Sequence, residues 1–121
     1  MQPSKTVVIT GASSGIGLAL ATAFAGRGAR VVANSRRVTQ SRTLTPSPDL
    51  VLVDGDIASP DVAARVIEAA DRFGGVDLLV NNAGVFIAKP FAQYTTEDLA
   101  ALVSTNLIGF FHVTQFAVRS M

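Results

Sequence analysis

The stretch Thr10-Gly11-Ala12-Ser13-Ser14-Gly15-Ile16-Gly17 constrains this chain more than any other. It joins a β-branched run, Thr6-Val7-Val8-Ile9-Thr10, to a helical pattern from about Ile16 to Arg27. Ile16, Leu20, Ala23 and Phe24 recur at spacings of three and four and predict one apolar helix face. Gly28 follows where a helix C-cap takes a positive φ. A glycine-rich turn between strand and helix lets backbone N–H groups approach a phosphate at the positive end of the helix. Gly11 and Gly15 allow close approach that a Cβ would block, and Gly17 permits tight packing of helix on strand. Three glycines also suffice for a plain tight turn. The strand–turn–helix context favours the phosphate reading.

The alternation continues along the chain. Arg30-Val31-Val32-Ala33-Asn34, Leu50-Val51-Leu52-Val53 and Val76-Asp77-Leu78-Leu79-Val80 read as three further strands. Ser59-Pro60-Asp61 opens a helix to about Phe73 with an N-cap hydroxyl, a first-turn proline and an acid at the positive dipole end. Gly74-Gly75 ends it. Thr95 is the N-cap of a long final helical segment, with Gly109 as its kink. Strands alternating with helices predict βαβ units on a parallel sheet. Arg37 to Pro48 departs from this pattern. Its Ser, Thr and Pro content predicts an exposed, mobile connection with a reduced or absent helix.

At 121 residues the chain is one domain. Its 49% hydrophobic and 16% charged residues suffice for a packed core. Ten Lys+Arg against nine Asp+Glu leave +1, which gives no basic field for nucleic acid or an anionic membrane. No Cys and a single His, His112, exclude thiol catalysis, disulfides and a multi-histidine metal site. His112 sits between Phe111 and Val113 and is expected to be structural. The longest early apolar run, Val7-Val8-Ile9, is too short for a signal-peptide core or a membrane span. The expectation is a soluble cytoplasmic domain. The chain stops inside an apolar-periodic run, so an N-terminal part of something larger is expected.

Four motifs in order resemble the short-chain dehydrogenase/reductase family, classical type. They are Thr10-Gly11-x-x-x-Gly15-x-Gly17, Asp56-Ile57 after the third strand, Asn81-Asn82-Ala83-Gly84 after the fourth, and Asn106 in Ser104-Thr105-Asn106-Leu107. The resemblance implies the N-terminal half of a Rossmann-type doubly wound α/β domain, strand order 3-2-1-4. That NAD(P)-binding domain would occupy residues 1–121. Gly11, Ser13, Ser14, Gly15, Ile16 and Gly17 would line the pyrophosphate and the nicotinamide end. Asp56, with the Ile57 backbone, would take the adenine amino group. Asn82, Ala83 and Gly84 would pass the adenosine ribose, with Asn81 tying strand four to its neighbour. Asn106 would bend its helix and free a main-chain carbonyl for a proton-relay water. The plainer readings are a loop cap for Asp56, a turn for Asn81-Asn82, and a mid-helix asparagine without a role for Asn106.

Cofactor choice is read from the end of strand two, where an acid binds the ribose 2′-hydroxyl and selects NAD. Here Ser35, Arg36 and Arg37 stand instead. Guanidinium groups suit a 2′-phosphate, so NADP(H) is expected over NAD(H), although adjacent arginines also occur as plain surface charge. The implied activity is hydride transfer between nicotinamide and a small-molecule carbonyl or alcohol. A homodimer or homotetramer is implied for the full-length protein. The family's proton relay uses Tyr-x-x-x-Lys and a Ser, which in the family lie beyond the point where this chain stops. The single tyrosine, Tyr94, is followed four residues on by Asp98. It is expected to be a loop aromatic over the nucleotide-side rim. Residues 1–121 alone are expected to be inactive. A catalytically silent NADP-binding or sensor module is the alternative reading.

Overall fold

The computed structural model describes residues 5–121, so residues 1–4 of the expected domain lie outside the described residues. Strands β1 (Thr6–Thr10), β2 (Arg30–Ser35), β3 (Leu50–Asp54) and β4 (Leu78–Val80) form one sheet in the order β3-β2-β1-β4. All its pairings are parallel, with Ile9 opposite both Ala33 and Val80. Helices α1 (Gly15–Gly26), α2 (Pro60–Asp71), α3 (Thr96–Val103) and α4 (Phe110–Ser120) complete the chain, with a π-helical turn at Ser104–Gly109 between the last two. This is the expected doubly wound parallel α/β architecture.

Side-chain alternation along the strands builds a core on each face of the sheet. Val8 and Val32 face α2 and α4, where Val62, Val66, Val113 and Ala117 are buried against them. Val7, Ile9, Val31 and Ala33 face the other way, under Ala21 of α1. A strand buried on both faces needs an unbroken apolar run, which is why β1 reads Val-Val-Ile.

Several local signals act as the sequence predicts. Gly28 takes φ +85 after the end of α1. Thr95 caps α3 in a reciprocal box: the Asp98 N–H donates to Thr95 Oγ1 at 3.1 Å, and the Thr95 N–H donates to Asp98 Oδ2 at 2.9 Å. Ser59 does hold the N-cap position of α2, but its hydroxyl makes no cap bond. β4 is shorter than expected at its start. The Val76 N–H donates to Ser120 Oγ of α4 instead, and the Asp77 N–H to Thr6 O.

Two expectations need correction. The predicted α1 face of Ile16, Leu20, Ala23 and Phe24 is partly rotated: Leu20 and Phe24 do pack against the core, but Ile16 is 71% exposed and Ala23 is exposed, while Gly17 and Ala21 are buried. Gly17 sets this rotation, because a Cβ there would stand 2.1 Å from Gly11 O. The connection after β2 does lose its helix, keeping one 3-10 turn at Val38–Gln40. It is not wholly exposed, however. Val38 (0% exposed) and Leu44 (5%) fill the α1-side core where a crossover helix would otherwise pack.

Thr96–Ser120 is one continuous helical segment of 25 residues, long and apolar enough by length and composition to cross a membrane. Here it lies on the domain, with Val113 and Ala117 in the core against α2. Gly109 also serves contact, since a Cβ there would meet Ile57 Cγ2 at 2.6 Å. The helical distortion is the π turn that contains it.

The buried connection yields a test. Val38→Ala removes two buried methyl groups and should cost about 2 kcal/mol in denaturant unfolding, cavity included. Thr45→Ala, in an exposed part of the same connection, should change stability by less than about 0.5 kcal/mol. Equal effects from the two would show that Val38 is not an anchor.

Candidate functional site

A cleft of about 580 Å³ opens beyond the carboxyl ends of the strands. Residues following β1 (Gly11, Ser13, Ser14), ending β2 (Ser35, then Arg36 and Arg37), following β3 (Gly55, Asp56, Ile57) and following β4 (Asn82 to Val85) converge on it. Open α/β sheets place ligands here, where the strand order reverses. Its volume lies within the ordinary range for small-molecule sites, roughly 300–1,000 Å³.

The floor is a backbone-to-backbone junction between the β1 and β4 exits. Thr10 Oγ1 accepts from the Asn82 N–H at 3.1 Å and the Ala83 N–H at 3.0 Å. The Asn82 Nδ2 amide donates back to Gly11 O at 3.0 Å. Gly11 has φ +66, and a Cβ there would stand 2.9 Å from Ala83 Cα. Glycine is therefore required at position 11 both for conformation and for space.

The electrostatics favour an anion. The first turn of α1 carries no acid, whereas α2 has Asp61 and α3 has Glu97 and Asp98 in theirs. Its positive dipole end is thus left uncompensated beside the cleft. Ser14 is the α1 N-cap residue, and its side chain makes no cap bond. Ser35 Oγ is buried without a partner at the end of β2. Among the described residues neither Arg36 nor Arg37 enters an ion pair, and both are exposed at the cleft. The unpartnered Ser35 hydroxyl, the exposed guanidinium groups and an uncapped helix start fit a phosphate-bearing ligand.

Of the residues singled out in the sequence, Gly11, Ser13, Ser14, Ser35, Arg36, Arg37, Asp56, Ile57, Asn82, Ala83 and Gly84 line the cleft. Gly15, Ile16 and Gly17 do not; Gly17 is buried behind Gly11, and Ile16 points to solvent. Asp56 takes the loop-cap role that was its plainer reading, at the edge of the cleft. It lines the cleft while its Oδ1 accepts from the Ala58 N–H at 3.0 Å, as a loop cap does.

The tie expected of Asn81 is made by Asn82, which also lines the cleft. Asn81 Nδ2 donates to Thr114 Oγ1 of α4 at 3.0 Å, and it is Asn82 that ties the β4 exit to β1. Asn106 lies in the π turn, beside a small cavity of about 50 Å³ adjoining Thr10 and Asn81. It clamps Val85, accepting from the Val85 N–H at 2.7 Å and donating to Val85 O at 3.0 Å. Widened helical turns of this kind recur at functional sites.

Asn34, Gly55, Val85 and Thr105 also line the cleft and were not singled out. Asn34 alone left a trace in the sequence, as a polar residue closing an apolar strand. It is 1% exposed, and its amide donates to Val53 O at 2.9 Å and Gly55 O at 3.2 Å.

The segment leaving Val85 toward α3 is held by its own side chains. The Tyr94 hydroxyl donates to Ile87 O, and Lys89 pairs with Asp98 while lying 5.9 Å from the Tyr94 ring centre. Tyr94 pins this segment and does not line the cleft. The bond from Lys89, then the Thr95 N–H, hold the Asp98 carboxyl below its ordinary pKa. His112 packs edge-on against Phe111 at 5.6 Å.

The family model for short chain dehydrogenase matches residues 5–121. Among curated relatives, the chain is 36% identical to D-beta-hydroxybutyrate dehydrogenase of Rhizobium meliloti (strain 1021), covering 98% of this chain and 49% of that protein. It is 40% identical to 11-beta-hydroxysteroid dehydrogenase-like 4A of Arabidopsis thaliana, covering 94% and 41%. Among solved structures, a short-chain dehydrogenase/reductase (glucose/ribitol dehydrogenase) from Brucella melitensis superposes with a TM-score of 0.87 at 34% identity, covering 97% of this chain and 52% of that one. The chain belongs to the short-chain dehydrogenase/reductase family. It spans about half the length of the relatives it matches.

The junction beneath the cleft is testable within one helix. Gly17→Ala drives a Cβ toward Gly11 O and should cost about 3 kcal/mol or more. Gly26→Ala, whose Cβ would meet nothing within 4 Å, should be neutral or stabilise by up to about 1 kcal/mol. Similar effects from both would remove the case for close packing at Gly17.

Proposed function

We propose that the cleft binds NADP(H), in a protein that moves hydride between the nicotinamide and a carbonyl or alcohol substrate. Family membership supports a dehydrogenase or reductase dependent on a nicotinamide cofactor. The observation that carries the choice of NADP(H) is the end of β2. There, among the described residues, Arg36 and Arg37 enter no ion pair beside the buried, unpartnered Ser35 hydroxyl, and no acid occupies the strand end. Two guanidinium groups at that point hold a 2′-phosphate by charge-assisted bonds.

The remaining residues fall into place around that anchor. Ser13, Ser14 and the α1 N-terminus take the pyrophosphate, Asp56 the adenine amino group, and Asn82 to Gly84 the adenosine ribose. Bound nicotinamide supplies the hydride donor or acceptor, and the chain supplies orientation. Asn106 holds Val85 and the widened helical turn in place for the catalytic side of the cleft. The relatives are named for a hydroxy acid, a steroid and a sugar, so the substrate is assigned only to the carbonyl/alcohol class. The exposed apolar side chains Phe110, Phe111 and Val118 of α4 support pairing into a homodimer or homotetramer.

The alternative reading, a silent NADP-binding or sensor module, uses the same cleft and differs only in lacking proton relay to a substrate. NADPH binding without turnover across a panel of ketones and alcohols is the result that reading predicts.

Titration of the protein and its Arg36→Ala variant with NADPH and NADH tests the cofactor assignment. NADPH should bind the unaltered protein more tightly than NADH. Arg36→Ala should lose about 1.5–3 kcal/mol, roughly ten- to a hundredfold, for NADPH and little for NADH. Equal affinity of the unaltered protein for both cofactors contradicts the assignment.

A further inference from the structure

The acid missing from the end of β2 reappears one strand away. Asp54 ends β3 and is the register partner of Ser35. A carboxylate so close to a phosphate-binding arginine pair would repel the phosphate if it faced the cleft. It does not line the cleft. Its Oδ1 accepts from the Thr39 N–H at 2.9 Å, and its Oδ2 accepts from the Thr39 hydroxyl.

Thr39 belongs to the 3-10 turn that directly follows the arginines. Arg37 is the N-cap residue of that turn, and its carbonyl accepts from the Gln40 N–H at 3.0 Å. Val38, between Arg37 and Thr39, is fully buried in the α1-side core. The turn is therefore held from below by an apolar anchor and from the side by one carboxylate. Both act on the backbone from which Arg36 and Arg37 extend into the cleft.

We infer that Asp54 is a positioning residue for the 2′-phosphate site, holding Arg36 and Arg37 in their binding orientation through Thr39. This rests on the NADP(H) reading above. The Thr39 hydroxyl and N–H bonds also hold the Asp54 carboxyl below its ordinary pKa, so it acts as the ionised acceptor at neutral pH. Loss of the carboxylate frees the turn, and binding must then also order the backbone from which both arginines extend.

The test is the ratio of NADPH to NADH affinity, measured by titration of the purified protein. Asp54→Ala should lower that ratio roughly three- to tenfold by weakening NADPH binding, with NADH affinity unchanged. Asp54→Asn, which retains an acceptor for the Thr39 N–H, should restore most of the ratio. Thr39→Val removes the hydroxyl bond and keeps the charge, so it should also lower the ratio and serves if Asp54→Ala does not fold. In an Arg36→Ala/Arg37→Ala background, Asp54→Ala should have no further effect on the ratio. A ratio that rises in Asp54→Ala would make Asp54 a repelling charge, and an unchanged ratio would make it a surface cap; either overturns the inference. If the unaltered protein shows no NADPH preference and Arg36→Ala changes nothing, the cofactor reading itself fails. A preference that depends on Arg36 but not on Asp54 or Thr39 refutes only the positioning role.

Discussion

Everything in this domain that bears on the cleft depends on the near-contact of two backbone segments, the β1 exit at Gly11 and the β4 exit at Asn82-Ala83. Only glycine fits at position 11, because a Cβ there would stand 2.9 Å from Ala83 Cα. Only glycine fits at position 17, because α1 must lie on the Gly11 carbonyl. The Thr10 hydroxyl then accepts two backbone N–H groups from the β4 exit, so polar groups withdrawn from water at this junction are paired. The rotation of α1 and the course of residues 82–85 both follow. The aim of the helix start at the cleft follows as well.

The sheet supplies the rigidity that this junction needs. β1 is buried along its whole length, between two cores of unequal make-up. One core is closed by α2 and α4. The other has only α1 and the side chains of Val38 and Leu44, because no crossover helix follows β2. The same economy places the turn at 38–40 directly beside the arginines.

Much of this was legible in the sequence because its determinants are local. The strand–glycine turn–helix unit, the alternation of strands with helices and the Thr95 N-cap follow from short-range pattern, while the strand order came with the family resemblance. What the sequence concealed depends on partners far away in the chain. Val38 and Leu44 stand among Ser, Thr and Pro with no apolar period, and only the sheet beneath them shows that they are core. The α1 face was right at Leu20 and Phe24 and misjudged at Ile16 and Ala23, because Gly17, whose burial reflects a carbonyl six residues earlier, turns the start of the helix. Asn81 and Asn82 are indistinguishable by type. Which one reaches β1 and which reaches α4 is decided by the direction of the chain as it leaves β4. Asn34, Val85 and Thr105 became cleft residues through the same tertiary geometry.

The central claim is that the cleft takes an NADP dinucleotide with its 2′-phosphate at Ser35-Arg36-Arg37. A crystal structure of the protein with NADPH bound tests it most directly. The account predicts the 2′-phosphate within hydrogen-bond reach of the Arg36 or Arg37 guanidinium, the Ser35 hydroxyl partnered, and the pyrophosphate at the start of α1. An adenosine ribose bound away from the end of β2, or a 2′-phosphate facing solvent with both arginines turned from it, would contradict the account.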